Sequence, residues 1–203
     1  MRSSKFTRLG GVGALLGGIL WVATLAVGQV LSADLVGVVV APIVCLVLGL
    51  AALQSRQGGK TGRLGMLGFM ITLLGSVVMA YGSVGHLTLS GDVGGVTYGP
   101  VMFTGIALGA ALFGFGAVLT ALSAITANVL PRLSPIPMLV GAVGVAVLGA
   151  WTLAHQVIDG GSGQLFPIRT APIIGLWAVF GVGWLWLGYL LWSEGRPKDA
   201  SIR

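Results

Sequence analysis

Long apolar runs separated by short polar segments make up most of this chain. The run from Arg63 to His86 starts on a cation, continues through about twenty apolar or small residues, and ends on a histidine. The run from Arg132 to His155 has the same length, the same Arg-Leu start and the same histidine end. A helix needs about 20 residues to cross the hydrocarbon core of a bilayer. The pattern therefore predicts a membrane-spanning helix at each place.

Six apolar runs of this kind predict an all-α integral membrane bundle of six transmembrane helices, formed by one domain over residues 1–203. Helices suit lipid because each satisfies its own backbone hydrogen bonds. Pro42 falls inside the second run, where proline is expected to kink a helix. The predicted spans are 9–31, 35–53, 64–85, 99–126, 136–154 and 171–192, with polar tails at 1–8 and 193–203.

The six spans also divide into three hairpins that resemble one another. Each hairpin begins with an Arg-Leu pair, carries one aspartate in its outer loop, and has a proline near the start of its second arm. The second and third match best, whereas the first lacks a histidine and has its proline deeper in the span. A pseudo-repeat and a chance likeness among Gly/Leu/Val-rich segments both remain open. The prolines are Pro42, Pro100 and Pro172, and the aspartates are Asp34, Asp92 and Asp159.

Composition and charge agree with a membrane location. Only 8% of the residues are charged and 56% are hydrophobic, whereas soluble domains carry roughly 25% charged residues. The net charge is +6, and ten of the eleven cations lie in the tails or in the segments after even-numbered spans, Arg169 being the exception. The positive-inside rule then predicts cytoplasmic N- and C-termini in a cell membrane. No basic patch is dense enough to predict a nucleic-acid partner.

The spans lack the residues that usually carry membrane chemistry. None of the six contains Asp, Glu, Lys or Arg, which are typical of proton relays and ion paths. Cys45 is the only cysteine, so the chain has no intrachain disulfide and no cysteine-ligated metal centre. Hydrolase, metalloprotease, P-loop and dinucleotide motifs do not occur either. The sequence therefore favours a protein that is not an enzyme.

Two histidines are the clearest candidates for chemistry. His86 and His155 each lie 23 residues after an Arg-Leu start, which places them at similar depth on parallel helices. Imidazole ligates haem iron and divalent metals, and Asp92 and Asp159 could add oxygen ligands to a metal. Haem, a divalent metal or a quinone is therefore the alternative to the expectation of no cofactor. Histidine is also a common amphipathic residue at the membrane interface, and that interpretation is favoured.

Small residues at helical spacing predict close contact between helices. Gly10 with Ala14 and Gly18 forms one face of the first span, and Gly13 with Gly17 forms a GxxxG pair beside it. On the third span, small residues recur at every fourth position. Membrane helices use such positions to bring their backbones together. The residues predicted to pack against other helices are Gly10, Gly13, Gly17, Gly68, Thr72, Ser76 and Ala80.

Three functions remain open at this point. The favoured one is a structural or accessory bundle whose partners are the bilayer and another membrane protein or a second copy of the chain. The second is a carrier or pore for a neutral or hydrophobic solute, flexible at Pro42 and lined by hydroxyl-bearing residues. The third is a cofactor protein using the two histidines. The first span, with RLGG at 8–11, Gly17-Gly18 and Leu20-Trp21, resembles many bacterial multispan proteins. The resemblance covers only this helix and implies a bacterial membrane but no activity. The proposed pore-lining hydroxyls are Thr72, Ser76, Thr104 and Thr120.

The cation distribution generates a prediction about topology. Reporter fusions after Gly59 and Pro131 should read cytoplasmic, because Lys60 and Arg132 follow these positions and cations favour the cytoplasmic side. Fusions after Gly94 and Gly161 should read external. Paired reporters that are active on opposite sides of the membrane provide the measurement. A cytoplasmic reading at Gly94 would contradict the six-span arrangement.

Overall fold

The structure is a computed structural model that describes residues 2–31, 40–57, 60–89, 92–93, 96–97, 99–128, 135–158 and 171–194. Within these ranges the chain forms six α-helices, and each is long and apolar enough to cross a membrane. The predicted all-helical class and the predicted number of helices long and apolar enough to span a membrane are confirmed. The helices are α1 (Arg2–Leu31), α2 (Val40–Gln57), α3 (Gly62–Leu89), α4 (Gly99–Thr126), α5 (Ile136–Ile158) and α6 (Ala171–Glu194).

Several helices continue beyond the apolar runs that predicted them. α1 includes most of the basic tail, and α2 continues through Gln54 to Gln57, which the sequence placed in a loop. Helical hydrogen bonds are local, so a helix can extend past the hydrocarbon until a glycine-rich segment ends it. The predicted start of the second span, at residues 35–39, lies outside the described residues.

Three prolines occupy equivalent places at the start of even-numbered helices. Pro42 is the third residue of α2, and Pro100 and Pro172 are the second residues of α4 and α6. A proline in the first turn costs no intrahelical hydrogen bond, because the amides there have no helical partner. Pro42 lies in the first described turn of α2; the predicted position inside a longer span and the predicted kink stay predictions, because residues 32–39 lie outside the described residues.

A short β-hairpin lies between α3 and α4, where the sequence predicted only a loop. Strand β1 (Asp92–Val93) pairs with strand β2 (Val96–Thr97) in antiparallel register, with Asp92 opposite Thr97. The sequence carries a signal for it, because a Gly-Gly pair between two apolar residues is typical of a two-residue hairpin turn.

The six helices pack around one another in chain order. Each contacts the helix before it and the helix after it, and α6 packs against α1 to close the ring. The contact between α2 and α3 is the least extensive of the six. The bundle therefore has one weak junction in an otherwise continuous ring.

The seam between α3 and α4 is a contact of backbone on backbone. A Cβ atom at Gly68 would lie 2.9 Å from the carbonyl oxygen of Gly116, and one at Gly75 would lie 2.8 Å from that of Gly109. Real Cβ contacts are longer, so only glycine allows this approach. Residue numbers rise on α3 as they fall on α4, which shows that the two helices run in opposite directions.

The α1–α6 seam repeats this construction. A Cβ atom at Gly18 would lie 2.8 Å from the carbonyl oxygen of Gly181, and one at Gly188 would lie 2.7 Å from that of Gly11. On both seams the glycines of one helix are seven residues apart. Seven residues are nearly two helical turns, so a seven-residue spacing keeps the glycines along one line.

The outer surface of the bundle is apolar. Leu9, Val77 and Tyr81 are 64%, 66% and 72% exposed, and many other large apolar side chains also face outward. Exposed apolar patches on soluble monomers rarely exceed a few hundred Å², whereas lipid accepts such a surface. The distribution supports a membrane-embedded protein.

The glycine seams generate a stability prediction. Gly75→Ala should lower the free energy of unfolding by about 1–3 kcal/mol, because the new methyl group would overlap the backbone of Phe113. Gly175→Ala is the matched control, since a Cβ atom there has no neighbour within 4 Å. Thermal unfolding of both purified variants in one detergent measures the effect. Equal melting temperatures for the two would contradict a backbone contact at Gly75.

Candidate functional site

The predicted packing residues of α1 lie against α2. A Cβ atom at Gly10 would lie 3.0 Å from the carbonyl oxygen of Leu48, and one at Gly13 would lie 3.1 Å from that of Cys45. A Cβ atom at Gly17 would lie 2.6 Å from the side chain of Leu46. Cys45 is half-buried beside this contact. These three glycines therefore form one face of α1.

The predicted small-residue stripe on α3 faces α4 at its start but not at its end. Gly68 and Thr72 contact α4 directly, Ser76 is buried, and Ala80 is only half-buried. A spacing of four advances about 40° around a helix at each step, so such a stripe drifts off any straight contact. The seam instead continues from Thr72 to Gly75. The sequence signal for Gly75 was the seven-residue repeat of glycine at 68, 75 and 82.

Three of the four hydroxyl groups proposed to line a pore donate hydrogen bonds within their own helices. Thr72 donates to the carbonyl oxygen of Gly68 at 2.8 Å, and Ser76 donates to that of Thr72 at 2.7 Å. Thr120 donates to the carbonyl oxygen of Gly116 at 2.9 Å. All three are buried. Such local bonds satisfy a hydroxyl without any partner across the bundle.

Aromatic rings from three helices meet inside the bundle. The ring of Trp21 on α1 stacks on that of Trp177 with centroids 4.9 Å apart, and its centroid is 6.5 Å from that of Phe113 on α4. Phe180 on α6 meets Trp21, Phe113 and Trp184 edge to face, at 5.2, 5.7 and 6.1 Å. Edge-to-face and stacked pairs at these distances are favourable. We call Trp21, Phe113, Trp177, Phe180 and Trp184 the aromatic centre.

The aromatic centre ties helices that are distant in sequence. Trp21 and Trp184 are 2% and 0% exposed. Their rings therefore fill the interior space between α1, α4 and α6. Within the described part of the chain, neither indole N–H has a hydrogen-bond partner. The centre therefore holds the bundle by apolar packing.

The two histidines lie toward the same end of α4. Gly82 of α3 lies beside Gly105 of α4, and Gly149 of α5 abuts Ala107 of α4. His86 and His155 come after these glycines on helices that run antiparallel to α4, so both lie near the start of α4. His155 is exposed, and its ring centroid lies 4.8 Å from that of Trp151, one turn earlier. α4 packs against both α3 and α5. The side chain of His86 lies outside the described side chains.

The proposed metal ligands are only partly described. Asp92 begins β1, but its side chain is not described, and Asp159 lies outside the described residues. Among the side chains that are described, no three His, Cys, Asp or Glu residues converge on one point. A metal, haem or quinone site at His86, His155, Asp92 and Asp159 stays a prediction.

Buried polar atoms without partners gather at the turn from α2 to α3. Gln57 is 0% exposed, and neither its amide nitrogen nor its amide oxygen has a hydrogen-bond partner among the described residues. The same holds for Oε1 of Gln54 and for Oγ1 of Thr61. We call Gln54, Gln57 and Thr61 the polar turn cluster. Gln57 continues the helical spacing of positions 43, 46, 50 and 53 of α2, which are buried in the structure.

Comparisons of the chain with known protein families, curated proteins and solved structures find no match.

The aromatic centre generates a prediction that separates it from the lipid-facing aromatic residues. Trp21→Ala should lower the free energy of unfolding by about 3–5 kcal/mol, because it empties volume between three helices. Trp186→Ala removes the same ring from a side chain that is 49% exposed, and it should change stability far less. Denaturation of both variants in matched detergent micelles measures the difference. A loss for Trp186→Ala as large as that for Trp21→Ala would contradict the central role of Trp21.

Proposed function

We propose that this protein is a non-catalytic multi-pass membrane bundle that acts as a structural or accessory component through contacts with another membrane protein. The observation that carries the proposal is the filled interior. The aromatic centre occupies the space between α1, α4 and α6. Glycine contacts also join α1 to α2, α3 to α4, α4 to α5, and α5 to α6. A bundle held in this way presents a fixed outer surface, which suits a binding role.

The proposed orientation has both termini in the cytoplasm and three hairpins in sequence. The cation distribution supports the orientation. Pro100 and Pro172 are each the second residue of their helix, which supports equivalence of the second and third hairpins. A cell membrane of a bacterium is the proposed location, in line with the resemblance of the first span to bacterial multispan proteins.

A carrier for a neutral or hydrophobic solute is the second candidate. It draws support from the weak α2–α3 junction, which could separate without breaking a glycine seam. It is less favoured because Thr72, Ser76 and Thr120 are bonded within their own helices. Alternating access would also require the aromatic centre to come apart, at a cost of several stacked contacts of about 0.5–1.5 kcal/mol each.

The test compares partner binding with transport for one purified protein. Chemical crosslinking in native membranes should join this chain to one other membrane protein in a fixed ratio. Proteoliposomes should swell in glycerol or urea no faster than protein-free vesicles of the same lipid. Faster swelling with the protein, together with crosslinks only to abundant neighbours, would contradict the accessory role and support the carrier.

A variant at the α3–α4 seam tests whether Thr72 takes part in transport. Thr72→Val removes a hydroxyl that bonds only its own helix, so we expect a change in unfolding free energy of about 1 kcal/mol or less and no change in swelling. Thr152→Val on α5 is the matched control, because its hydroxyl makes the same bond to the carbonyl oxygen of Leu148 at 2.8 Å. Altered swelling for Thr72→Val alone would place Thr72 in a solute path.

A further inference from the structure

One junction of the helix ring is built differently from the other five. Glycine contacts join α1 to α2, α3 to α4, α4 to α5, α5 to α6, and α6 to α1. Between α2 and α3, no described glycine has the other helix as its nearest neighbour, and this is also the least extensive helix contact of the ring. Close backbone packing holds membrane helices together. The ring is therefore weakest between α2 and α3.

The turn that joins these two helices carries buried polar groups. Gln57, the last residue of α2, is 0% exposed, and its amide nitrogen and oxygen have no hydrogen-bond partner among the described residues. The Thr61 hydroxyl, just before α3, also lacks a described partner, and Thr61 is 8% exposed. Burying such a group without a hydrogen bond is costly. The cost destabilises the closed junction and would vanish if water reached these groups.

Thr61 lies on the α3–α4 side of the turn. A Cβ atom at Gly65 would contact the Thr61 side chain and would lie 3.1 Å from the hydroxyl oxygen of Ser123 on α4. The Ser123 hydroxyl donates its own proton to the carbonyl oxygen of Thr120 at 2.8 Å. When α2 and α3 separate, we therefore expect Thr61 to stay with α3 and α4, and Gln57 to move with α2.

The backbone of the turn suits a hinge. Residues 57–62 have the sequence QGGKTG, and Gly62 has a φ of +56°, a conformation that glycine adopts without strain. A Cβ atom at Gly62 would have no neighbour within 4 Å, so no other part of the described chain packs against it. Hinges are a few residues at the ends of elements that absorb changes in φ and ψ. The turn meets this description.

We propose that the α2–α3 junction is a gate that opens at the end of the bundle carrying the turn, and that Gln57 favours its opening. In the open state, water bonds the amide of Gln57 and the hydroxyl of Thr61, which offsets the packing lost between α2 and α3. The five glycine contacts persist in both states, so the ring widens at this one junction. The gate does not depend on the accessory role, and the two proposals can fail separately.

Gln57→Met tests the gate, because methionine has a similar length but no amide. The variant should favour the closed state and slow backbone hydrogen exchange at the end of α2 about tenfold, since it removes one unsatisfied buried amide. Hydrogen–deuterium exchange of the full-length protein in lipid nanodiscs, read by mass spectrometry, measures the rate. A glutamine that only holds the turn together would give the opposite result, because its loss would speed exchange.

A matched pair of threonine variants tests the same idea. Thr61→Val and Thr120→Val each remove a buried hydroxyl, but only that of Thr120 has a described bond, to the carbonyl oxygen of Gly116 at 2.9 Å. Thr61→Val should slow exchange at the α2–α3 turn, whereas Thr120→Val should not. Circular dichroism of each variant verifies that the helices are retained.

Thiol labelling measures opening directly. Cys45→Ser removes the only native cysteine, and Leu53→Cys then places a thiol at a position of α2 that is 1% exposed, one turn before Gln57. A polar maleimide should label this variant, and adding Gln57→Met should slow the labelling about tenfold. Ser123→Cys is the control at the α3–α4 seam, at a position that is 0% exposed, and should label more slowly than Leu53→Cys.

Two results would overturn the proposal. The first is hydrogen exchange in folded Gln57→Met that is as fast as in the wild type or faster. The second is labelling of Leu53→Cys that Gln57→Met does not slow, or that is no faster than labelling of Ser123→Cys.

Discussion

Close approach of helix backbones at glycine is the constraint on which this structure depends. Lipid offers no hydrophobic drive for helices to associate, because apolar side chains are as well solvated by lipid as by one another. Association must then come from short-range packing, which strengthens as backbones come closer. Glycine pairs at the α3–α4 and α1–α6 seams bring carbonyl oxygens within 3 Å of the place a Cβ atom would occupy. The aromatic centre completes the packing where glycine seams alone would leave a gap.

The glycine repeat links the sequence to the order of the helices. Glycines seven residues apart appear on α1, α3, α4 and α6, and these are the helices of the two glycine seams. α2 and α3 have no such shared seam among the described residues, and their contact is the least extensive. The polar turn cluster lies at the turn between these two helices, so the least extensive helix contact and this set of unpartnered polar atoms are neighbours in the chain.

The number of helices and most of their bounds could be predicted because apolar length is a local property. α4 begins and ends where hydropathy placed it, and Gly10, Gly13, Gly17 and Gly68 lie on helix contacts. The role of Gly75 was missed because a stripe of every fourth residue was preferred to the seven-residue repeat. The partners of each face, and the meeting of Trp21 with Phe113 and Phe180, depend on tertiary packing that no local pattern encodes. The missing hydrogen-bond partner of the Gln57 amide could not be predicted, because burial depends on the tertiary structure.

Solid-state NMR of the protein in lipid vesicles tests the central claim most directly. With glycine as the only ¹³C-labelled residue, through-space cross-peaks report glycine α-carbons that lie close together on different helices. The account predicts cross-peaks between Gly68 and Gly116, between Gly75 and Gly109, and between Gly11 and Gly188. Cross-peaks confined to glycines of the same helix would contradict it, because the seams would then be held by larger side chains.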